Sequence, residues 1–315
     1  MSSEGIGELG EFGLIAAVTR RLPRGDAVIL GPGDDAAIVR ARDGRVVAST
    51  DLLVENHHFR RDWAPAYDIG RRAAAANLAD IVAMGAVPTA LLVGLAAPAD
   101  LAVDWALELV DGLRDECLVV GASIAGGDVS RADAVVLGIT ALGDLEGNPA
   151  VTRAGARPGD TVVLAGRVGW AAAGLAVLHR GFRSPRVLVE AYRRPDPPYA
   201  LGPVLAAAGA TSMCDVSDGL VQDLGHIAAA SEVGIDIDRA SLQLTDALRD
   251  VGNALNTDPY DWLLSGGDDH ALVATLPHDV EPPESCIVIG SVTDGAGVLV
   301  DGRPYEGAGG HDHFA

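Results

Sequence analysis

Gly31-Pro32-Gly33-Asp34-Asp35-Ala36-Ala37, followed after a short apolar run by Ser49-Thr50-Asp51, is the stretch around which the rest of this chain is organised. It sets two adjacent carboxylates on a Gly/Pro turn, and a strand over residues 46–48 then delivers two hydroxyls and a third carboxylate. A pocket built from such oxygens needs a cation. Similar acidic corners recur at Asn77-Leu78-Ala79-Asp80, Gly126-Gly127-Asp128, Asp215-Val216-Ser217-Asp218-Gly219 and Gly266-Gly267-Asp268-Asp269. One such corner is ordinarily only a turn, because Gly permits positive φ and Asp bonds to its own backbone. Their recurrence along the chain points to a common site instead. Carboxylate and hydroxyl donors suit Mg²⁺, Mn²⁺ or Ca²⁺ rather than zinc.

Composition narrows what such a site could serve. At 315 residues, 49% hydrophobic and 21% charged, the chain is long enough for two ordinary domain cores. Its apolar runs are broken by Gly, Asp or Arg well before the roughly 20 residues a bilayer span needs, and its first residues are acidic and Gly-rich. Neither a membrane helix nor a signal peptide is expected. Cys117, Cys214 and Cys286 are too far apart for a metal motif and cannot all pair, so the expected location is cytoplasmic. The 23 basic residues are all Arg, against 44 acidic ones, for a net charge of -21. The missing lysine excludes a Walker A loop, protein-kinase chemistry and Schiff bases. The acidic balance argues against nucleic acid as a partner. A phosphorylated ligand would therefore depend on divalent metal for much of its attraction.

Along the chain, residues 10–22 are an amphipathic helix closed by Pro23, and 28–30, 37–39 and 45–50 are strands. Residues 65–84 form an Ala-rich helix on which Asn77 and Asp80, three apart, share a face. Residues 89–96 are a strand, 101–117 a helix, 118–124 a strand ending in Gly126-Gly127-Asp128, and 134–142 a further strand. Strands alternating with helices make the first half α/β or α+β. The pattern lapses over 143–158, which divides the chain into residues 1–147 and 148–315. In the second half, 161–165 is a strand, 170–179 and 199–208 are helices, and 212–216 is a strand running into Ser217 as N-cap of a helix over 218–230. Strands at 270–276 and 286–292 complete a second sheet.

The whole series, Glu11-Phe12-Gly13-Leu14-Ile15, Gly33-Asp34-Asp35-Ala36-Ala37, Ser49-Thr50-Asp51-Leu52-Leu53-Val54 with His58-Phe59, Asn77 to Ala86, Gly126-Gly127-Asp128, Thr152-Arg153-Ala154-Gly155, Pro158-Gly159-Asp160, Asp215 to Leu220 and Ser265 to Asp269, resembles the thiamine-monophosphate kinases. The resemblance covers nearly the entire chain, in order. It implies a two-domain fold like aminoimidazole ribonucleotide synthetase, in which an N-terminal ATP- and metal-binding domain dimerises through its sheet and a C-terminal α/β domain closes over ATP. The implied reaction converts ATP and thiamine monophosphate to ADP and thiamine diphosphate.

Carried over by position, the implied Mg²⁺ ligands are Asp34 or Asp35 or both, with Ser49, Thr50, Asp51, Asp80, Asp128, Asp215 and Asp218. The implied ATP contacts are Gly127, Asp128, Arg153 and Ser217, and His58 and Asp268 are the implied substrate contacts. This chain departs from the family at Asp268, where Glu is usual, at His270-Ala271 in place of Tyr-Glu, and in a tail that lacks the expected aromatic residue. The alternatives are another ATP-using enzyme of the superfamily or a non-catalytic metal-binding dimer. Selenophosphate synthetase is disfavoured because its N-terminal Cys or Sec region is missing.

Overall fold

The computed structural model describes residues 5–23, 25–31, 37–307 and 310. The chain divides into two units, Met1–Ile81 with Ala86–Asn148, and Val82–Gly85 with Pro149–Ala315. The first runs α1 (Ile6–Leu9), α2 (Glu11–Thr19), β1 (Val28–Leu30), β2 (Ile38–Val39), β3 (Val47–Val54), α3 (Ala66–Ala83), β4 (Val87–Ala97), α4 (Val103–Val119), β5 (Ser123–Arg131) and β6 (Val136–Asp144). Ala-rich α3 packs on α4 where each helix offers a glycine. A methyl on Gly70 would stand 2.1 Å from the Leu109 carbonyl oxygen, and one on Gly112 would stand 2.0 Å from that of Tyr67. Arg71 pairs with buried Glu116 across the same contact.

β3, β6, β4 and β5 form one sheet in that order, with β4 and β5 parallel and the other pairs antiparallel. Side chains alternate between the faces of a strand. Leu53, Leu137, Ile139 and Ala141 are buried on one face, where Ile81 of α3 packs against Gly143. The other face stays open at the β3 edge, with Ala48 and Thr50 exposed and Leu52 65% exposed.

The second unit contains β7 (Thr161–Ala165), α5 (Trp170–His179), α6 (Arg186–Arg193), α7 (Leu201–Ala207), β8 (Ser212–Val216), α8 (Leu220–Ser231), β9 (Gly234–Ile237), a 3₁₀ turn (Arg239–Ser241), α9 (Asp246–Leu255), α10 (Pro259–Ser265), β10 (Ala271–Leu276), β11 (Cys286–Thr293), β12 (Gly297–Val300) and β13 (Arg303–Pro304). Its seven-stranded sheet has the order β13-β12-β9-β11-β7-β10-β8. β8 and β10 are buried along their whole length, which explains their nearly continuous apolar sequences. Among the described residues no helix is long and apolar enough to cross a membrane.

Two local expectations are corrected. Gly126-Gly127-Asp128 is not a corner after a strand: it lies inside β5, while Leu118 and Val119 close α4. Gly127 serves the sheet itself, because β5 is irregular opposite Leu91 and Leu92, and a methyl on Gly127 would meet the Val93 carbonyl oxygen at 1.9 Å. Nor does Ser217 cap a helix beginning at Asp218. α8 starts at Leu220 after Gly219, with no side chain capping it from that position. Asp223 reaches back instead, and its Oδ2 accepts the backbone N–H groups of Ser217, Asp218 and Gly219, each at 3.0 Å. Helices α6, α9 and α10 were not anticipated from the sequence.

Candidate active site

In the first unit, the alternation of β3 divides Ser49-Thr50-Asp51 between two faces. Ser49 and Asp51 share the face of buried Leu53, and the Ser49 hydroxyl donates to Asp80 Oδ2 at 2.6 Å, tying β3 to the end of α3. Thr50 faces the other way, where its hydroxyl donates to the Ile139 carbonyl at 3.0 Å and meets the Thr140 hydroxyl at 3.1 Å. Asp80 lies near the negative end of α3, so the helix dipole opposes its charge and makes a nearby cation favourable.

Asp128 is exposed on β5, the opposite edge of the sheet, and accepts from the Ser130 hydroxyl at 3.2 Å. The ladder runs from Asp51 to Ile139, Val93 and Gly127, so Asp51 and the Gly127-Asp128 pair are aligned across the sheet. Three strand spacings separate them by about 14 Å. One Mg²⁺ bonds oxygens about 2.1 Å away, so the two aspartates of one chain do not share an ion. Among the described residues no three His, Cys, Asp or Glu side chains gather as a metal centre. Asp34 and Asp35 lie outside the described residues.

The donors nevertheless suit Mg²⁺ in kind. Ser49, Asp51, Asp80 and Asp128 offer only hard oxygens. Asn77, three residues before Asp80, donates to the Ala73 carbonyl at 3.0 Å while its buried Oδ1 has no hydrogen-bond partner. A cation or a water bound to one would satisfy such an acceptor. His58 follows β3 in a turn, and its Nδ1 accepts the Val54 N–H at 3.0 Å. The ring proton of a neutral His58 therefore resides on Nε2.

In the second unit, the end of β8 and the start of β10 carry the remaining candidates. The Asp268 N–H donates to the Ser217 carbonyl at 2.8 Å and the His270 N–H to that of Val216 at 3.0 Å, extending the β8–β10 pairing into both loops. A methyl on Gly267 would stand 2.1 Å from the Ser217 carbonyl oxygen, so only glycine allows this approach. Asp268 and His270 hold positive φ angles of 68° and 52°, which few residues other than glycine adopt. Asp218 accepts from Gln222 at 3.3 Å, and exposed Arg153 anchors its carbonyl on the Ser231 hydroxyl at 3.0 Å.

Several supporting contacts are visible only in the folded chain. Burial and the Asp215 charge push the Asp223 carboxyl up to about 7, against the N–H groups it accepts. Burial likewise raises Asp269 to about 7. Asp269 Oδ1 accepts the Ala171 N–H at the start of α5 at 2.9 Å, while its Oδ2 is buried without a partner. Buried His270 places Nδ1 3.0 Å from Oδ2 of buried Asp215. The Tyr305 hydroxyl meets Ser265 at 3.0 Å, next to the Gly266-to-Asp268 loop, while the tail from Gly307 to Phe314, in which the expected aromatic contact is missing, lies almost wholly outside the described residues. Only tertiary pairing reveals these contacts, since most join residues tens of positions apart.

Residues 33–145 match the family model of the AIR synthase related protein N-terminal domain, and residues 157–301 match that of its C-terminal domain. The fold and its acidic loops thus define a two-domain AIR synthase related protein. The chain is 47% identical over 309 residues to the thiamine-monophosphate kinase of Mycobacterium tuberculosis, covering 98% of this chain and 92% of that one. It is 34% identical to the solved thiamine-monophosphate kinase of Stenotrophomonas maltophilia K279a, with a TM-score of 0.81 over 92% of this chain and 95% of that one. A structure of AaThiL complexed with AMPPCP and TMP is 30% identical, with a TM-score of 0.80 over 97% of this chain and 98% of that one. The chain belongs to the thiamine-monophosphate kinase family.

Proposed function

We propose that this chain transfers the terminal phosphoryl group of ATP to thiamine monophosphate, giving ADP and thiamine diphosphate, by direct in-line displacement assisted by Mg²⁺. The observation that carries this reading is the nearly full-length likeness to a structure complexed with AMPPCP and TMP. The acceptor phosphate has a second pKa of about 6, so near neutral pH it is already a nucleophilic dianion and needs no general base. What it needs is relief from repulsion by ATP, in a chain without lysine and with a net charge of -21.

When bound, Mg²⁺ ions would supply the positive charge that offsets the repulsion between the two anionic reactants. Several ions would be held separately: Ser49, Asp51 and Asp80 on one face of β3 would serve one and Asp128 another, with Thr50, Asp34 and Asp35 as further ligands of the first unit and Asp215 and Asp218 as ligands of the second. Gly127, Asp128, Arg153 and Ser217 would contact ATP, with Arg153 supplying a fixed positive charge. His58 and Asp268 would contact thiamine monophosphate, His58 through the Nε2 side of its ring. The open, exposed location of Asp51 and Asp128 supports access by a ligand, and the three N–H bonds of Asp223 support a rigid Ser217-Asp218 turn.

The test is ADP release with and without thiamine monophosphate, repeated in excess chelator. Release should require both the acceptor and Mg²⁺ or Mn²⁺, and Asp51→Ala, Asp80→Ala and Asp128→Ala should each nearly abolish it while circular dichroism stays native. Acceptor-independent release, or full turnover in chelator, would contradict the reading.

A further inference from the structure

We infer that His270 is a positioning residue that orients the Asp215 carboxylate for a divalent cation. The inference deepens the reading of Asp215 as a metal ligand and rests on it. In the β8–β10 pair, Ala271 lies opposite Val216 and Leu272 opposite Asp215. The His270 N–H to Val216 carbonyl bond carries the pairing one residue further. His270 and Asp215 thus become diagonal neighbours, and the imidazole Nδ1 lies 3.0 Å from Asp215 Oδ2. Both are buried, at 6% and 5% exposure. An ionised carboxylate only accepts hydrogen bonds, so Nδ1–H is the donor.

The backbone at His270 pays for this arrangement. A φ of 52° is disfavoured for a residue with a Cβ, and Asp268 two positions earlier adopts 68°. Ladder bonds from both residues hold the strained loop in place. A buried carboxylate without a donor would turn toward another partner, and that change of orientation would cost it a cation. Hydrogen bonds from such supporting side chains to metal ligands are typically worth about 10–100-fold in metal affinity.

The variants His270→Asn, His270→Gln and His270→Leu separate this role from packing. Asn places its amide N–H near the position of Nδ1 and tolerates positive φ. Gln displaces its donor by one bond, and Leu removes it. Each variant, with Asp215→Asn and the unaltered chain, is titrated with Mg²⁺ in the presence of AMPPCP, and binding is read by calorimetry alongside the Tm without metal. The expected result is that His270→Leu and His270→Gln need about tenfold or more Mg²⁺ for half-saturation. His270→Asn should stay within about threefold of the unaltered chain, a difference smaller than one such hydrogen bond.

A lower Tm for His270→Leu reports the strained backbone and the lost buried hydrogen bond together and does not mimic a changed Mg²⁺ requirement. Unaltered Mg²⁺ dependence in His270→Leu overturns the inference, as does a His270→Asn variant as impaired as His270→Gln. If His270→Leu does not fold, the Asn–Gln comparison decides. If Asp215→Asn leaves the Mg²⁺ requirement unchanged, the assignment of Asp215 as a ligand fails. If Asp215→Asn raises it while the His270 variants do not, only the role of His270 fails.

Discussion

Asp268 keeps the charge of the usual glutamate on a side chain one methylene shorter, and its backbone is fixed at φ 68° by the bond to Ser217. A carboxylate there can accept from the aminopyrimidine of thiamine and favour its cationic thiazolium, directly or through a water. Asp268→Asn should weaken thiamine monophosphate binding by roughly 1.5–3 kcal/mol and leave ATP almost unaffected. KM for both substrates, measured with the Tm, checks this: a lower Tm with both KM values preserved would make Asp268 a turn residue only. Its neighbour Asp269 has a different consequence. Burial, with the Asp268 charge adding to it, raises the Asp269 carboxyl from an ordinary 3.8 to about 7, while the Ala171 N–H and Arg167 oppose the rise. Between those values the folded chain keeps a proton that the unfolded chain loses, so stability falls as pH rises through this window and the loss is complete above it. The scale is on the order of 4 kcal/mol. Asp269→Asn keeps an acceptor for the Ala171 N–H and cannot ionise. Urea midpoints of this variant should therefore fall less between pH 5 and pH 8 than those of the unaltered chain.

At the scale of the element, β5 shows how a glycine pair can be legible and still be misplaced. A methyl on Gly126 would meet Leu92 at an ordinary 3.6 Å, whereas one on Gly127 would collide with the Val93 carbonyl at 1.9 Å. Gly127→Ala should then cost about 2–3 kcal/mol by forcing β4 and β5 apart, and Gly126→Ala less than about 1 kcal/mol. Chemical denaturation of the two variants decides it, and equal losses would mean that the strand can shift. The sequence offered no means to tell the two glycines apart, because the bulge opposite Leu91 and Leu92 is set by a partner strand more than thirty residues away. The start of α8 was misplaced for a related reason. Ser217 has the chemistry of a cap, but the Asp223 carboxylate, six residues on, takes the N–H groups first.

For the whole molecule, the open face of the first sheet bears on assembly. Leu52 at 65% exposure, with Ala48 and Thr50 beside it, leaves apolar strand surface uncovered at an edge. Such surface ordinarily meets another chain. We expect a homodimer through this sheet at micromolar concentration. Leu52→Arg should shift it toward monomer in light scattering without loss of helical signal. A monomeric unaltered chain would remove the basis for this assembly.

The amino-acid sequence by itself pointed to the kind of chemistry, because in an acidic chain without lysine a divalent metal on oxygen donors is the expected source of much of the attraction for a phosphorylated ligand. It also determined the main strands and helices. β3, α3, β4, β7, α5, β8 and β10 are each written in a local alternation, a short apolar run or helix propensity, which need no distant partner. Tertiary structure decided which acidic residues meet. Ser49 reaches Asp80 while Thr50 turns to the other face, and Asp51 and Asp128 occupy opposite edges of one sheet. It also set His270 against Asp215 and left Asp269 buried beside α5. Strand order and register are sums of many weak pairings between distant residues, and no local run of sequence carries that sum.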